Sequence, residues 1–109
     1  MGPDLERKRR LEGELSRWVG LFPQLGVKKA ILFGSLARGD VTEWSDVDLI
    51  LVKETSLRFV DRIEEALTVI QPRVGLDVFV YTPEEFEQLL ETSAFIQRVV
   101  REGRVIYEA

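Results

Sequence analysis

Residues 28–53 read KKAILFGSLARGDVTEWSDVDLILVK, and this stretch decides the fold. It opens with a short apolar run that predicts a buried strand over residues 28–33. A Gly-Ser pair follows directly, and then a single predicted helical turn that ends at Gly39, because glycine is the usual residue just past a helix C-terminus. A second strand is predicted over residues 46–53. The expected domain therefore contains two strands connected by a helical turn and a loop over residues 40–45.

The segments on either side alternate between helical and strand patterns. An amphipathic helix is predicted over residues 57–70, and Thr82, Pro83 and Glu85 form a strong helix start. The other predicted elements are a helix over about 4–20, a connector over 20–26, a strand over 76–81, one or two helices to about 102 with a break near 92–93, and a last strand over 104–107. Alternating strands and helices predict one α/β (α+β) domain, a small mixed β-sheet flanked by helices.

Composition narrows the chemistry that this domain can perform. No apolar run approaches the roughly 20 residues that span a bilayer, and the polar N-terminus lacks a secretory core, so the protein is predicted to be cytoplasmic. Cysteine and histidine are absent, which excludes thiol chemistry, histidine bases and the usual zinc ligands. Carboxylates remain, and they favour a hard metal ion such as Mg²⁺ or Mn²⁺. The net charge of −4 argues against nucleic acid as a partner. The absence of an apolar span argues against a membrane as a partner.

Acidic residues interrupt two of the predicted strands. Asp46 and Asp48 alternate with apolar residues, so both side chains leave the same face of their strand. Asp77 interrupts the next apolar strand. If these strands are neighbours, three carboxylates converge at one end of the sheet, where like charges repel by roughly 3–4 kcal/mol per pair. Such a cluster is reasonable if divalent cations occupy it.

The Gly-Ser pair lies directly between a strand and a helical turn. Backbone N–H groups at such a position point outward, and the missing Cβ of Gly34 lets phosphate oxygens approach closely. The hydroxyl of Ser35 can donate a hydrogen bond to a phosphate oxygen. Together with carboxylate-bound metal ions, the turn predicts a site for a nucleoside triphosphate.

This layout resembles the polymerase-β-like nucleotidyltransferase superfamily, whose signature is a Gly-Ser pair followed by a spaced Asp-x-Asp. The motifs here are GSLARGD at 34–40 and SDVDL at 45–49. The Ala-Arg-Gly after Gly-Ser and the Ser before Asp-x-Asp are especially similar to the minimal nucleotidyltransferases, single-domain prokaryotic proteins often encoded beside a HEPN-domain protein as a toxin–antitoxin pair. The resemblance covers a motif core over residues 28–82, departs at no motif position, and implies one nucleotidyltransferase domain over residues 1–109.

The resemblance implies a role for each acidic residue. Asp46 and Asp48 would bind both of two Mg²⁺ ions, with Mn²⁺ as a substitute, and Asp77 would bind the ion that activates the acceptor hydroxyl. That hydroxyl attacks the α-phosphorus of ATP in line, and pyrophosphate leaves. A structural alternative exists for Asp77, as an edge-strand charge that discourages aggregation, but its pairing with the other two acids favours metal binding.

The same resemblance implies that Gly34 and Ser35 hold the β- and γ-phosphates, with Arg38 and Ser45 as further nucleotide-binding residues. Each polar residue also has a structural interpretation. Ser35 alone would more often be a helix N-cap. Arg38 fits a surface ion pair with an acidic neighbour, Asp40 or Glu43, equally well. Ser45 fits better as a residue that fixes the loop.

Two further features carry weaker interpretations. Trp44, beside the acidic pair, could stack on a base, but a partly buried anchor of the loop is favoured. The basic run at 7–10 lies on the first predicted helix, where a solvated helix face is favoured over a contact for RNA or an acidic partner.

The leading functional hypothesis is an enzyme that transfers NMP, with AMP from ATP as the expected case, to a hydroxyl of a partner protein. Because the chain has no length left for a substrate domain, the acceptor must be held by a second protein or a second copy. The family resemblance implies a HEPN toxin that the modification silences. The alternative is a binding module, an antitoxin that neutralises its partner by contact alone. A third hypothesis, a transferase that modifies nucleic acid, rests only on the basic run at 7–10. The base preference, the acceptor and the oligomeric state stay open.

Overall fold

The computed structural model describes residues 2–109, which form one four-stranded sheet and six helices. In chain order the elements are α1 (Leu5–Val19), α2 (Phe22–Leu25), β1 (Lys29–Phe33), α3 (Gly34–Arg38), β2 (Val47–Val52), α4 (Phe59–Ile70), β3 (Leu76–Tyr81), α5 (Pro83–Thr92), α6 (Ala94–Glu102) and β4 (Arg104–Glu108). Within residues 2–109, no helix combines the length and the apolar character needed to cross a membrane.

The sheet is mixed, as the alternating pattern predicts. Its strand order is β3-β2-β1-β4. β1 runs antiparallel to β2 and β4, whereas β2 and β3 are parallel and are connected through α4. A parallel pair needs such a crossover connection, because a tight turn can join only antiparallel strands. The parallel pairing places the equivalent ends of β2 and β3 side by side.

Helices cover both faces of the sheet, which is why β2 is almost entirely apolar. Val47, Leu49 and Leu51 point into the main core, which also contains side chains of α1, α2 and α4. Ile50 and Val52 point into a second, smaller core formed with α5 and α6. Asp48 is thus the one polar position of a strand that is otherwise buried on both sides.

Local sequence signals locate most element ends correctly. The capping box of Thr82 and Glu85 is present, with both reciprocal hydrogen bonds and Pro83 in the first turn of α5. Gly39 ends α3 in the left-handed conformation, at φ 87°. The break near 92–93 is Ser93, whose side chain accepts a hydrogen bond from the N–H of Ile96 and caps α6.

The connector predicted over 20–26 is wrong in part, because it contains the short helix α2. Pro23 lies in the first turn of this helix, where its missing N–H costs nothing. Gly26 then ends the helix at φ 81°. Phe22 and Leu25 are buried in the main core, so packing stabilises a helix too short to show a periodic pattern.

Candidate active site

Asp48 and Asp77 lie directly opposite each other on the parallel strands β2 and β3. Asp48 is half-buried and Asp77 is exposed. The pKa of Asp48 is raised to about 6, first by burial, then by the charge of Asp77, a hydrogen bond with Asp77 and the charge of Asp46, while the charge of Arg38 lowers it. The structure therefore brings two of the predicted carboxylates together and places a third charge close enough to act on them.

Asp46 precedes β2, is exposed, and forms an ion pair with Arg7 of α1. The Arg7 Nη2 lies 3.5 Å from the Asp46 Oδ1, and the Arg7 Nε donates a hydrogen bond of 3.0 Å to the carbonyl oxygen of Ser45. The interpretation of the whole basic run as a solvated helix face is therefore wrong for Arg7, whose side chain is only 20% exposed. A contact across 38 positions of sequence has no local signal that could have revealed it.

The donor chemistry of these acids fits a divalent cation, although their arrangement is not a finished cage. Carboxylate oxygens are the ligands that Mg²⁺ prefers, and a cation between Asp48 and Asp77 would offset the repulsion that raises the pKa of Asp48. In residues 2–109 no group of three metal-ligating side chains is placed to hold an ion. The guanidinium of Arg7 would compete with an ion for the Oδ1 atom of Asp46.

Glycine at position 34 is required by its contact with Asp48. Gly34 has φ 75°, and a Cβ built on it would lie 2.9 Å from the Asp48 Cγ and overlap the carboxylate. The preceding residue, Phe33, pairs with Asp48 across β1 and β2. The Gly34 turn and the carboxylate of Asp48 are thus in direct contact, as a site that binds both phosphate and metal requires.

A second glycine, which sequence reasoning passed over, supports Asp46 in the same way. A Cβ on Gly75 would overlap the Asp46 carboxylate, with Oδ2 at 2.7 Å. The carbonyl oxygen of Gly75 also accepts a 3.0 Å hydrogen bond from the N–H of Val47. The available signal was the position of this glycine, two residues before the strand aspartate Asp77.

Ser35 and Arg38 lie on α3, beside the carboxylates. The N-cap of α3 is Phe33, not Ser35, so the N-cap interpretation of Ser35 is wrong. Its backbone carbonyl closes the turn by accepting the N–H groups of Gly39 and Asp40 at 2.9 and 3.1 Å. Arg38 is half-exposed and pairs with Asp40 at 3.2 Å, as the surface interpretation predicts, while its charge also acts on the carboxylate site.

The loop before β2 is held by Ser45 and exposes Trp44. The Oγ of Ser45 accepts a 2.8 Å hydrogen bond from the N–H of Thr42, so Ser45 does fix the loop. The N–H of Trp44 donates to the hydroxyl of Thr42 at 3.2 Å. The Trp44 side chain is 83% exposed, and the expectation of a partly buried anchor is therefore wrong.

A cavity of about 240 Å³ adjoins the Gly34 turn. Phe33, Gly34, Arg38 and Asp48 line it, and these residues belong to β1, α3 and β2. The other lining residues all belong to α6, a helix for which no functional role was predicted.

A mixed sheet with this turn and these acidic positions defines the nucleotidyltransferase class, and comparison with known proteins agrees. The family model described as "Nucleotidyltransferase domain" matches residues 9–107. The chain belongs to the nucleotidyltransferase domain family, so the expected enzyme class and the resemblance are confirmed.

Individual relatives give the same result. A protein of Methanocaldococcus jannaschii, named "putative protein adenylyltransferase", is 38% identical over 81 residues, which are 74% of this chain and 79% of the relative. A "putative nucleotidyltransferase" from Sulfolobus solfataricus shares the fold with a TM-score of 0.62 at 20% identity, over 95% of this chain and 86% of the other. A chain in a mutant of the toxin–antitoxin MntA-HpeT has a TM-score of 0.55 at 21% identity, over 86% and 72%. These two likenesses confirm the predicted fold.

Proposed function

We propose that this nucleotidyltransferase transfers AMP from ATP to a hydroxyl group of a partner protein, and that the partner is a HEPN-domain toxin silenced by the modification. The observation that carries the proposal is the contact of Asp48 with both Asp77 and Gly34, because it joins the acidic positions to the Gly-Ser turn. The name of the M. jannaschii relative supports a protein as the acceptor. The class of partner follows from the motif resemblance to minimal nucleotidyltransferases.

The three aspartates are the proposed metal ligands. Asp46 and Asp48 would hold both Mg²⁺ ions and Asp77 one of them, with Mn²⁺ as an alternative. Bound Mg²⁺ would neutralise phosphate charge and lower the pKa of the acceptor hydroxyl. The two exposed aspartates, Asp46 and Asp77, leave the site open to an acceptor from solvent, which is what modification of a second protein needs.

The turn residues bind the leaving pyrophosphate. Gly34 lets the phosphates approach the backbone closely, and the hydroxyl of Ser35 donates to a phosphate oxygen. Arg38 can exchange its half-exposed pairing with Asp40 for a phosphate oxygen, since a surface ion pair contributes only about 0–1 kcal/mol. Ser45 acts through the loop, because its hydroxyl is already bonded to the N–H of Thr42. The acceptor hydroxyl gives up its proton to solvent, its oxygen bonds to the α-phosphorus, and pyrophosphate leaves with the electrons of the broken P–O bond.

The test is transfer of label from α-labelled ATP to the co-purified partner in the presence of Mg²⁺. The variant Asp48→Asn removes a proposed ligand. The matched control is Asp61→Asn, which changes a half-exposed α4 residue paired with Arg58. We expect label with the wild type and the control, and at least a 100-fold slower transfer with Asp48→Asn. Equal labelling by Asp48→Asn, or none by the folded wild type, contradicts the proposal.

The ion pair of Arg7 and Asp46 favours one competing function, neutralisation of the partner by contact alone. A site whose third acid is held by a guanidinium is not poised for metal binding. The discriminating measurement is toxin neutralisation by Asp77→Asn. Neutralisation that survives this change supports contact, and its loss supports catalysis.

A further inference from the structure

The helix α6 presents a mixed stripe to the cavity beside the Gly34 turn. Phe95, Arg98, Val99 and Glu102 all line this cavity. Their spacing of three, four and seven residues puts them on one face of the helix. The stripe thus lines the same cavity as Gly34, proposed to contact phosphate, and Asp48, proposed to bind Mg²⁺.

The size and place of the cavity indicate which part of a nucleotide it receives. Its volume of about 240 Å³ is below the roughly 300–1,000 Å³ of pockets that enclose a whole drug-sized ligand. It therefore has room for part of a nucleotide. Because residues of α6 line the same cavity as Gly34 and Asp48, part of a nucleotide held by these two residues would lie beside α6.

Two aromatic side chains, Phe33 and Phe95, line the cavity. The ring of Phe95 packs edge-to-face on Phe33 and Phe79, with centroid distances of 5.7 and 6.1 Å, which fixes its orientation. It is nevertheless 41% exposed, so part of the ring is free to contact a ligand. A phenyl ring contributes little to phosphate binding, whereas a nucleobase gains by stacking on it.

Two charged side chains that line the cavity could hydrogen-bond a ligand, one as a donor and one as an acceptor. Arg98 supplies donors and Glu102 an acceptor, one turn apart on α6. In the part of the chain described, neither side chain has an ion-pair partner within 4.0 Å. The edge of a purine carries acceptors and donors close together, such as N7 and the N6 amine of adenine.

We infer that this cavity is the purine subsite of the enzyme, in which Phe95 stacks on the base while Arg98 and Glu102 bind its edge. The inference rests on the proposed function for the presence of a nucleoside triphosphate. It adds the part of the site that recognises the base and assigns that recognition to α6.

The test compares two ligands that share the triphosphate and differ in the base. Dissociation constants are measured by calorimetry, with Mg²⁺, for a non-hydrolysable ATP analogue and for inorganic triphosphate. The variants are Phe95→Leu, which keeps apolar packing without the aromatic face, and Arg98→Gln and Glu102→Gln. Arg101→Gln is the matched control, because Arg101 is exposed on the same helix and does not line the cavity.

We expect Phe95→Leu to weaken the binding of the ATP analogue by roughly 5- to 100-fold, the loss typical of one base–aromatic stack. Arg98→Gln and Glu102→Gln should each weaken its binding about 5-fold or more. Inorganic triphosphate should bind all variants as it binds the wild type, and Arg101→Gln should bind both ligands normally. In the wild-type complex, nuclear Overhauser effects should connect the H2 or H8 proton of the base with the Phe95 ring.

Equal weakening of both ligands would mean that the cavity holds phosphates, and it would overturn the inference while leaving the proposed transfer intact. The absence of Overhauser contacts to Phe95, or wild-type affinity in all three variants, would overturn it as well. A wild-type protein that binds the analogue and shows these base contacts, yet labels no partner, would sustain the subsite and contradict the proposed function.

Discussion

The Nη2 atom of Arg7 lies 3.5 Å from the Oδ1 atom of Asp46, so a side chain of the first helix is paired with the first acid of the Asp-x-Asp motif. The Nε of Arg7 also donates to the carbonyl oxygen of Ser45. The backbone at Asp4 continues this attachment, because its N–H donates a 2.7 Å hydrogen bond to the carbonyl oxygen of Val41. The start of α1 is thus tied to the loop that carries the motif.

The change Arg7→Gln should tighten the binding of Mn²⁺ in the absence of nucleotide. The guanidinium competes with the ion for Asp46, and an ion pair of this exposure contributes about 0.2–1 kcal/mol, so the expected gain in affinity is about 1.5- to 5-fold. Electron paramagnetic resonance of free Mn²⁺ measures the dissociation constant directly. Arg9→Gln, an exposed residue of the same helix, should leave the constant unchanged. Weaker binding by Arg7→Gln would show instead that Arg7 positions Asp46 for the ion.

The change Gly34→Ala should destabilise the fold and abolish transfer. Alanine would combine a backbone cost of roughly 1–2 kcal/mol at positive φ with displacement of the Asp48 carboxylate. Urea unfolding followed by circular dichroism measures the loss of stability.

Two other glycines separate these effects. Gly39 has φ 87° but nothing within 4 Å of an added Cβ, so Gly39→Ala should carry the backbone cost alone. Gly13 lies within α1 with open space around it, so Gly13→Ala should stabilise the protein by about 0.5–1 kcal/mol. If Gly34→Ala and Gly39→Ala lose the same stability, the contact with Asp48 has no energetic consequence.

The change Asp77→Asn should raise the melting temperature although it removes a proposed catalytic group. Like charges directly opposite on adjacent strands are destabilising by about 0.2–1 kcal/mol, and Asp77 lies opposite Asp48. A gain of that size corresponds to roughly 1–8 °C in a domain of this length. Calorimetry without divalent ions measures it, and added Mg²⁺ should stabilise the wild type more than the variant. Asp61→Asn, which breaks only a surface pair with Arg58, should give no gain.

The change Glu14→Gln should lower the stability at neutral pH and flatten its dependence on pH. Glu14 is buried, forms two 2.9 Å hydrogen bonds with Arg17, and accepts the N–H of Arg73 at 2.7 Å and the indole N–H of Trp18 at 3.3 Å. The pKa of Glu14 is lowered to about 2, chiefly by the hydrogen bonds from Arg17, with burial acting in the opposite direction. The expected loss at pH 7 is on the order of 2 kcal/mol.

The sign of the pH effect follows from the lowered pKa of Glu14. The carboxylate is favoured in the folded state, so its stabilisation is complete above pH about 4.5 and is lost as the pH falls towards about 2. Urea midpoints at pH 7, 4 and 3 should therefore decline more steeply in the wild type than in Glu14→Gln. Glu64→Gln, an exposed residue of α4, should follow the wild type. Parallel curves for wild type and Glu14→Gln would contradict this account.

Elements with local signals could be predicted from the sequence, as α5 illustrates. Its capping box needs only Thr82 and Glu85, three residues apart, and the structure contains it as predicted. The bounds predicted for β3, 76–81, agree with Leu76–Tyr81, because a short apolar run between a glycine and a helix start leaves little choice. The helix α2 was missed because four residues give no periodicity, and its stability comes from the burial of Phe22.

The candidate site could likewise be predicted only in part from the sequence. Alternation along the strand predicted over 46–53 placed Asp46 and Asp48 on one face, although β2 begins only at Val47. The pairing of Asp48 with Asp77 depended on the condition that β2 and β3 are neighbours. The expected burial of Trp44 was wrong, because apolar character predicts burial only on average. The loop that carries Trp44 leaves its side chain exposed to solvent.

By itself, the sequence determined the class of element at every segment except the short helix α2, the acidic and Gly-Ser motifs, and through them the nucleotidyltransferase family. These properties depend on residues a few positions apart, where propensity, capping and alternation act directly. Only the tertiary structure decided that Asp48 lies opposite Asp77, that Arg7 holds Asp46, and that α6 forms a wall of the cavity. Such contacts arise when the chain packs its two cores against the sheet, and no local pattern encodes which distant side chains that packing brings together.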